Sequence, residues 1–411
     1  MAGRLKPGFG RLASLQEALA ILDDHPLELS TERVALDQCS GRVLASPVTS
    51  EVDVPHFPKA AMDGYAVIAS DTFAISGQGP LSLKIRGSLQ PGQVATSPVG
   101  VGTCIEIGTG APMPEGADSV VMVENTEPDG DSSVWIRKPV APGENVIRRA
   151  SDIKAGSVVL AKGALVGPPQ LGVLAAVGAS EAEVTRRPSV AHFSTGAELL
   201  ASGEDLSPGR IYDINGHTLA AALVADGCET IDLGLVPDDL EALLDAARRG
   251  VEEADLLLLS GGSSLGGGDL VVETFEKLGK LLLHGVAVKP GKPLVLATAT
   301  DSEGRAKMMI GLPGYPMSAL SDYLIFVRPY LRKAAGAAAL SRWTDATLAR
   351  KHFSVVGRYE FLPVGLEDNL AHPLTGGSSS ISALARADGF VEVDENTEVL
   401  EEGSRVRVQL L

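Results

Sequence analysis

Five short polar loops between residues 194 and 318 carry the side chains best suited to chemistry, and each loop follows an apolar run. In an open α/β sheet, the loops that leave the carboxyl ends of parallel strands meet at one crevice. The spacing therefore predicts one composite site, with carboxylates that suit a metal ion and with lysines and N–H groups that suit an anion. The loops are 194–198, 234–239, 260–264, 289–293 and 311–318.

Asp238 and Asp269 each stand where a predicted helix begins. Asp is a favoured N-cap residue, and Glu241 lies three places after Asp238, as in a capping box. Both residues also follow predicted strands, so both carboxylates can face one crevice, and Mg²⁺ takes one or two carboxylates together with substrate oxygens. The pattern therefore indicates two helix caps or a magnesium site. Glu198 is either a further polar contact of that site or an exposed acid.

The segment from Ser260 to Asp269 is the most glycine-dense loop of the chain. Gly261 and Gly262 allow the backbone to approach a ligand and leave N–H groups directed at it, beside a helix N-terminus that favours anions. A plain connection is the alternative. The position of the loop between an apolar strand and a helix favours a phosphate site, without identifying the phosphate compound.

Lys289 and Lys292 lie on one turn that Pro290 and Pro293 stiffen. Two ammonium groups at this spacing indicate either an anion contact or an ordinary solvated turn, and the residues alone leave both readings open. The loop 311–318 is a rigid strand-to-helix corner, because Pro316 suits the first turn of a helix.

Strand and helix patterns alternate from residue 189 to about 336, which is typical of βαβ units and a parallel sheet. The strands are predicted at 190–193, 230–233, 255–259 and 308–310, and the helices at 216–226, 238–249, 269–278 and 316–333. Residues 48–146 read instead as short strands separated by Gly and Pro, which indicates an inserted β-domain. Residues 11–25 predict a helix with a Ser14–Glu17 capping box, and the tail from residue 350 reads as strands.

Composition excludes several classes of protein. A chain of 411 residues is long enough for two to four domains. The formal net charge of −17 argues against binding nucleic acid or anionic membranes through bulk charge. Three widely spaced cysteines offer neither a disulfide framework nor a CxxC metal site. With no signal-like apolar segment and no run near the ~20 residues of a membrane span, we expect a cytoplasmic protein that binds neither nucleic acid nor membrane.

Nine short motifs, taken together and in this order, resemble the molybdopterin molybdenumtransferases, the family of the gephyrin E-domain. Any one of them is a weak signal, but their joint occurrence over nearly the whole chain is specific. They lie at 61–66, 109–116, 147–153, 193–199, 260–262, 289–293, 311–314, 357–361 and 387–389.

The resemblance implies a multidomain α/β protein. Its central α/β domain has a mostly parallel sheet, accompanied by an inserted β-domain, a mixed α+β segment and a C-terminal β-barrel. The implied limits are 1–47 with 147–186 for the mixed dimerisation segment, 48–146 for the inserted β-domain, 187–335 for the molybdopterin- and nucleotide-binding domain and 336–411 for the barrel. It also implies a homodimer in which the β-domain of one subunit completes the active site of the other.

The implied reaction takes adenylylated molybdopterin and molybdate, uses Mg²⁺, inserts the metal and releases AMP. Carried over by motif, Asp238 and Asp269 would sit at Mg²⁺ and the adenylate phosphate, and Glu198 would belong to the same catalytic carboxylate set. Asp63 and Thr109 would come from the partner subunit. The remaining implied substrate contacts are Ser260, Gly261, Gly262 and Pro313, with Lys289, Lys292, Ser318, Arg358 and Ser379 around the oxyanion.

The chain departs from the family pattern at Gly267, Leu270, Gly285 and Tyr315. Relatives often carry Glu, Tyr, a basic residue and Asn at these respective positions. The choice among Ser378, Ser379 and Ser380, and the choice between molybdate and tungstate, stay open. Two other functions remain as alternatives: the adenylyltransferase that makes the adenylylated intermediate, and a non-catalytic scaffold.

Overall fold

The computed structural model describes residues 11–262, 269–337, 342–374 and 379–411. At its centre lies a six-stranded sheet in the order β2–β1–β3–β6–β5–β4. The pairings β2–β1, β1–β3 and β3–β6 are parallel, whereas β6–β5 and β5–β4 are antiparallel. The strands are β1 (Ser189–Thr195), β2 (Glu229–Val236), β3 (Leu256–Gly261), β4 (Gly279–His284), β5 (Val295–Thr300) and β6 (Ala306–Leu312).

The middle strand β3 shows why this sheet forms. Leu256 and Leu258 belong to the apolar core on one face, and Leu257 and Leu259 belong to the core on the other. Because successive side chains of a strand point to opposite faces, a continuous apolar run fits only a strand covered on both sides. Helices supply that cover: α1 (Asn215–Ala225), α2 (Leu240–Glu253), α3 (Leu270–Leu278) and α4 (Pro316–Asp322), the last continuing through a π segment, Tyr323–Val327, into Arg328–Ala334.

The strands and helices predicted for this region are confirmed, but β4 and β5 were missed. β4 begins at Gly279, which is also the C-cap of α3, so no turn residues separate the two elements. β5 pairs antiparallel with both of its neighbours. Both strands therefore fall outside the strand–helix alternation on which the prediction depended.

A second six-stranded sheet lies within the predicted insertion and has apolar clusters on both faces. In spatial order its strands are Ser119–Met122, Gly64–Val67, Thr103–Ile107, Leu81–Leu89, Ser133–Ile136 and Thr126–Asp129. Before and after it, Val48–Thr49 pairs with Val158–Leu160, and Thr31–Ala35 pairs with Glu181–Thr185. The chain thus returns to the strands from which it departed, as an inserted unit requires. The domain limits themselves stay predictions.

The helices outside the central domain include the predicted N-terminal one, which runs from Leu15 to Asp24 with the Ser14–Glu17 capping box in place. Its Leu22 joins the core cluster of the central sheet. The other helices are Ile75–Gln78, Pro168–Ala176 and Ile381–Leu384. None of the helices in the described ranges is long and apolar enough to cross a bilayer.

The C-terminal strands close into a five-stranded barrel, which confirms that prediction and the multidomain α/β fold. Going round the barrel, the strands are Tyr359–Glu367, Leu370–Pro373, Trp343–Leu348, Arg405–Leu410 and Gly389–Val393, and the last pairs again with the first. A two-residue strand from the central domain, Val288–Lys289, adds to this sheet in parallel with Tyr359 and Glu360. The turn that carries the lysine pair is therefore held by both domains.

Asp255 ties the mixed segment to the central sheet. Its carboxylate accepts two hydrogen bonds from the Arg186 guanidinium, at 2.8 and 2.9 Å, and others from the backbone N–H and hydroxyl of Ser189. Burial alone would raise the pKa of Asp255, but Arg186 and Ser189 together hold it below its usual value. A lowered folded-state pKa stabilises the fold above the unfolded-state pKa, and this contribution disappears as the pH falls through the folded-state value.

We expect Asp255→Asn to lower the free energy of unfolding at pH 7 by about 1–3 kcal/mol, because Arg186 loses a charged partner. The difference from the wild type should shrink below about pH 4, where the unfolded-state carboxyl protonates. Urea unfolding at several pH values measures both effects. Asp245→Asn, which removes an exposed ion pair with Arg248, is the control and should change stability little. A difference that persisted at low pH would contradict this assignment.

Candidate active site

The ends of β1 and β3 meet through their backbones. Gly261 has φ +102°, and a Cβ built on it would lie 1.9 Å from the carbonyl oxygen of Thr195. Only glycine therefore permits this approach. The next residue, Gly262, also has positive φ, and its Cα faces Val271 of α3. Gly261 and Gly262, which begin the glycine loop, therefore pack between β1 and α3 in a space that no side chain could share. The rest of that loop, 263–268, lies outside the described residues.

The corner after β6 lies against the same glycine loop. The position of a Cβ on Gly314 would be 3.5 Å from the Cα of Gly261. The buried Asn215, at the start of α1, donates its side-chain N–H to the carbonyl oxygens of Gly314 at 2.9 Å and of Pro313 at 3.5 Å. The ends of β1, β3 and β6 and the start of α1 therefore lie together.

Asp238 does not cap a helix, contrary to one of the two readings of the sequence. The N-cap of α2 is Asp239, whose carboxylate accepts hydrogen bonds from the backbone N–H groups of Glu241 and Ala242. Asp238 is exposed, and its Oδ1 lies 3.5 Å from the donating hydroxyl of Thr195 at the tip of β1. Because Asp239 does the capping, the Asp238 carboxylate is available to a ligand beside β1.

Asp269 caps a helix with one carboxylate oxygen and keeps the other outside the cap. Its Oδ1 caps α3 by accepting from the backbone N–H groups of Val271 and Val272, at 3.2 and 3.3 Å. Its Oδ2 lies 3.5 Å from Nε2 of His284, the last residue of β4. The capping hydrogen bonds therefore orient the carboxylate. Its second oxygen faces the end of β4, where the chain continues into the turn that carries the two lysines.

Glu198 lies at the tip of β1, folded back over the backbone. A Cβ built on Gly196 would lie 2.9 Å from its Oε2, and its own backbone carbonyl accepts from Ile211 N–H at 2.8 Å. The side chain is exposed. Its position in the loop that follows Thr195 fits membership of the carboxylate set.

The lysine turn is anchored on one side by Lys289, whose Nζ lies 2.9 Å from Oε1 of the buried Glu360. Gly291, at its centre, has φ +117°, and a Cβ there would lie 1.7 Å from Oδ1 of Asp322. The Asp322 side chain is fully buried, accepts no hydrogen bond from the described residues, and has its pKa raised well above the usual value by burial. The carbonyl oxygen of Lys292 accepts from Val286 N–H and closes the turn.

The other predicted oxyanion contacts differ in exposure. Ser318 is buried in the first turn of α4, Arg358 is half-buried before its barrel strand, and Ser379 is exposed. Within the described chain, the Arg358 side chain forms no hydrogen bond or ion pair with another residue. Ser380 lies next to Ser382, with 3.4 Å between their hydroxyls. Ser378 and Gly267 lie outside the described residues.

Asp63 and Thr109, predicted to act together, contact each other. Both the backbone N–H and the hydroxyl of Thr109 donate to Oδ1 of Asp63 at 2.7 Å, and these hydrogen bonds lower the pKa of that carboxyl. Among the described residues, neither side chain bonds to the central domain. The pair therefore presents an exposed, ionised carboxylate on the inserted β-domain.

The departures from the family pattern have local explanations at two positions. Gly285 has φ +92°, a conformation that a lysine or arginine adopts only with strain. Leu270 packs against the apolar cluster beneath α3. Tyr315 stands at the N-cap of α4 with its side chain 61% exposed, so it borders the corner without filling it.

The donor set fits Mg²⁺. Within the described ranges no group of three or more His, Cys, Asp and Glu side chains could hold a metal ion. Mg²⁺ does not require one, because it usually binds one or two carboxylates and takes its other ligands from water and substrate phosphates. Asp238 and Oδ2 of Asp269 offer such oxygens at the edge where the glycine loop begins.

A cavity among the described residues lies away from these strand ends. It has a volume of about 840 Å³ and is lined by the N-terminal helix, the helix after the π segment and the barrel, with Leu15, Pro329 and Phe390 among its walls. No predicted site residue lines it. The predicted carboxylates lie instead at the strand ends, with Asp238 beside Thr195 of β1 and Asp269 at the start of α3.

Comparison with known proteins agrees with this geometry. Residues 13–178 match the sequence profile of the MoeA N-terminal region (domain I and II), residues 191–333 that of a probable molybdopterin binding domain, and residues 345–411 that of the MoeA C-terminal region (domain IV). The molybdopterin molybdenumtransferase of Haemophilus influenzae is 31% identical over 404 residues, covering 95% of this chain and 96% of that protein. The chain belongs to the MoeA family.

Other relatives support this membership. The molybdopterin molybdenumtransferase of Nostoc sp. is 38% identical over 309 residues, which are 75% of this chain and 70% of the relative. A crystal structure of the molybdopterin biosynthesis MoeA protein from Pyrococcus horikoshii superposes with a TM-score of 0.84 at 31% identity, covering 98% of this chain and 100% of that one. The likeness therefore extends over all the domains of this MoeA-family chain.

Sequence reasoning missed Thr195, Asn215 and His284, which contact the predicted residues directly. Asn215 carried a signal, because it stands at the start of a predicted helix that follows a polar loop. Thr195 was quoted only as part of a loop. His284 was interpreted as structural, since its proximity to Asp269 comes from the antiparallel strand β4, which was not predicted.

We expect Gly291→Ala to lower the free energy of unfolding by more than about 2 kcal/mol, because left-handed strain is added to a clash with the Asp322 carboxyl. Gly304→Ala is the matched control: Gly304 also has positive φ, but its Cβ would meet nothing within 4 Å, so a cost of about 1 kcal/mol is expected. Asp322→Ala should restore part of the loss in the Gly291→Ala background. Equal costs for both glycines would contradict the packing argument. Thermal and urea unfolding measure all three variants.

Proposed function

We propose that this protein inserts molybdate into adenylylated molybdopterin, with Mg²⁺-dependent release of AMP, as a step of molybdenum cofactor biosynthesis. One observation carries the proposal. In a chain of the MoeA family, Asp238 and Asp269 lie near the closely packed Gly261 and Gly262, and a lysine turn departs from the strand beside Asp269. This arrangement suits a substrate that has both a phosphate and an oxyanion to be bound.

The adenylate phosphate would lie at the glycine loop. The N–H groups of the loop and the N-terminus of α3 favour an anion there. Asp238 and Asp269 would hold Mg²⁺, which when bound offsets the negative charge on the phosphate oxygens. Asp269 is oriented for this role by its capping hydrogen bonds, which leave Oδ2 directed away from the helix. Glu198, in the loop that follows Thr195, would complete the carboxylate set.

The oxyanion would lie toward the barrel. Lys289, Lys292 and Arg358 supply positive charge, and Ser318 and Ser379 supply hydroxyl donors, which suit a small dianion through charge-assisted hydrogen bonds. A local basic group is needed because the protein as a whole is strongly acidic. The attachment of the lysine turn to the barrel favours this reaction over plain adenylyl transfer, for which the central domain alone would suffice. Competition between molybdate and tungstate in the assay decides which oxyanion is preferred.

The active site would be shared between two subunits. The Asp63–Thr109 pair is ordered and ionised on the inserted domain, yet it bonds to no predicted site residue of its own chain in the described part. In a homodimer, this pair would complete the active site of the other subunit, which would explain its presence on the inserted domain. A cytoplasmic location likewise stays a prediction.

We expect Asp238→Ala to lower molybdate-stimulated AMP release by at least about 100-fold, because a metal ligand is lost. Its stability should be unchanged, since Asp238 caps nothing. Asp239→Ala is the matched control: it should cost about 1 kcal/mol of stability through the lost cap, and it should keep its activity. AMP release at a series of Mg²⁺ concentrations, together with urea unfolding, measures both. A wild-type protein that releases no AMP on addition of molybdate would reject the proposed function.

Subunit complementation tests the shared site. Asp63→Ala and Asp269→Ala should each be inactive alone. After co-refolding, the mixed dimer has one site with both substitutions and one intact site, so about one quarter of the wild-type activity should return. A mixed dimer verified by differential tags but without activity would place Asp63 outside the partner's site. Each variant should remain dimeric by light scattering.

A further inference from the structure

Glu360 is a buried acid that the proposed chemistry does not yet use. It lies in the motif 357–361, and its residue is 4% exposed at the start of a barrel strand. The strand register places it directly beside Lys289, which belongs to the turn between β4 and β5. The barrel therefore presents a carboxylate to the lysine turn at a fixed position in the backbone.

The side chains of Lys289 and His352 converge on one oxygen of this acid. Lys289 Nζ lies 2.9 Å and His352 Nε2 lies 3.2 Å from Oε1 of Glu360. The second oxygen, Oε2, is buried and accepts no hydrogen bond from the described residues. Burial alone would raise the pKa of Glu360, but His352, Ser354 and Lys289 lower it to about 2. The acid is thus ionised at neutral pH, and its charge is compensated by the Lys289 ammonium.

Removing one partner of a buried ion pair leaves an uncompensated charge, which is costly. Lys289 is therefore held at Glu360 rather than free to move through solvent. Its side chain is nevertheless 36% exposed, whereas that of Glu360 is 6% exposed. An ammonium group has three N–H donors, so Lys289 can keep one on Glu360 and direct another outward to an anion.

We propose that Glu360 is a positioning residue for oxyanion binding, because it holds the Lys289 ammonium at the lysine turn in the orientation that an incoming oxyanion requires. The inference rests on the proposed function and names the residue on which its oxyanion contact depends. Since the acid acts through Lys289, it affects oxyanion affinity rather than the metal-dependent step at Asp269. His352 contributes by sharing the charge of the same oxygen.

The test is a double-mutant cycle on oxyanion affinity. Glu360→Gln keeps the shape of the side chain and removes its charge. We expect it to raise the KM for molybdate and the Kd for tungstate about ten- to 100-fold, the range of one lost charge-assisted contact, while kcat changes less than threefold. Lys289→Gln should raise both constants by at least as much. Adding Glu360→Gln to Lys289→Gln should then cause no further change, because the residue through which Glu360 acts is already gone.

Two results would overturn the proposal. The first is an equal effect of Glu360→Gln with and without Lys289. The second is a lower KM in Glu360→Gln, which would mean that the acid merely repels the oxyanion. Glu392→Gln is the matched control and should leave oxyanion affinity unchanged, since its carboxylate in the same barrel contacts Tyr359, at 2.7 Å. If Glu360→Gln fails to fold, Glu360→Asp and His352→Asn replace it, with intermediate increases expected.

Titration calorimetry with tungstate and the Mg²⁺-loaded protein separates this proposal from the proposed function. Oxyanion binding can be measured there without turnover. A protein that binds tungstate through Lys289 and Glu360 but releases no AMP would contradict the proposed reaction and support the positioning role. If the wild-type protein releases AMP and Glu360→Gln leaves oxyanion affinity unchanged, the proposed reaction is supported and the positioning role is contradicted.

Discussion

The close approach of Thr195 and Gly261 is the constraint on which the site depends. Parallel strands end at the same edge of a sheet, but their loops meet only if nothing stands between them. A Cβ on Gly261 would fall 1.9 Å from the Thr195 carbonyl oxygen. The ends of β1 and β3 can therefore approach this closely only because residue 261 has no side chain. The corner at Gly314 packs against Gly261, and the side chain of Asn215 connects that corner to α1 by hydrogen bonds.

The carboxylates at these strand ends have different structural roles. Asp239 and Asp269 both cap helices, which is a structural use of an acid, yet Asp269 keeps one oxygen outside its cap. Asp238 caps no helix, because Asp239 caps α2. Two acids with different degrees of restraint therefore border the same loop: one is fixed by backbone N–H groups and the other is exposed beside Thr195. Such a pair can serve a metal ion whose other ligands come from substrate.

The lysine turn joins the two large domains physically. It leaves the central sheet at His284, adds two residues to the barrel sheet and returns to the central sheet as β5. Glu360 from the barrel and Asp322 from the central domain bury their carboxyls on either side of it, the first ionised and the second with a raised pKa. The position of the turn thus depends on both domains.

What the sequence determined by itself was local or periodic. The apolar run 255–259, the Ser14–Glu17 capping box and the alternation of strands with helices each depend on neighbours in the chain, and the structure reproduces them. The family motifs likewise identified the closed barrel. Local spacing could not choose between Asp238 and Asp239 as the cap, because adjacent acids have the same propensity. Only the tertiary structure decided that choice, and only it revealed the antiparallel strand that brings His284 to Asp269 and the pairing of Lys289 with Glu360, since these contacts join residues far apart in the chain through strand register and burial.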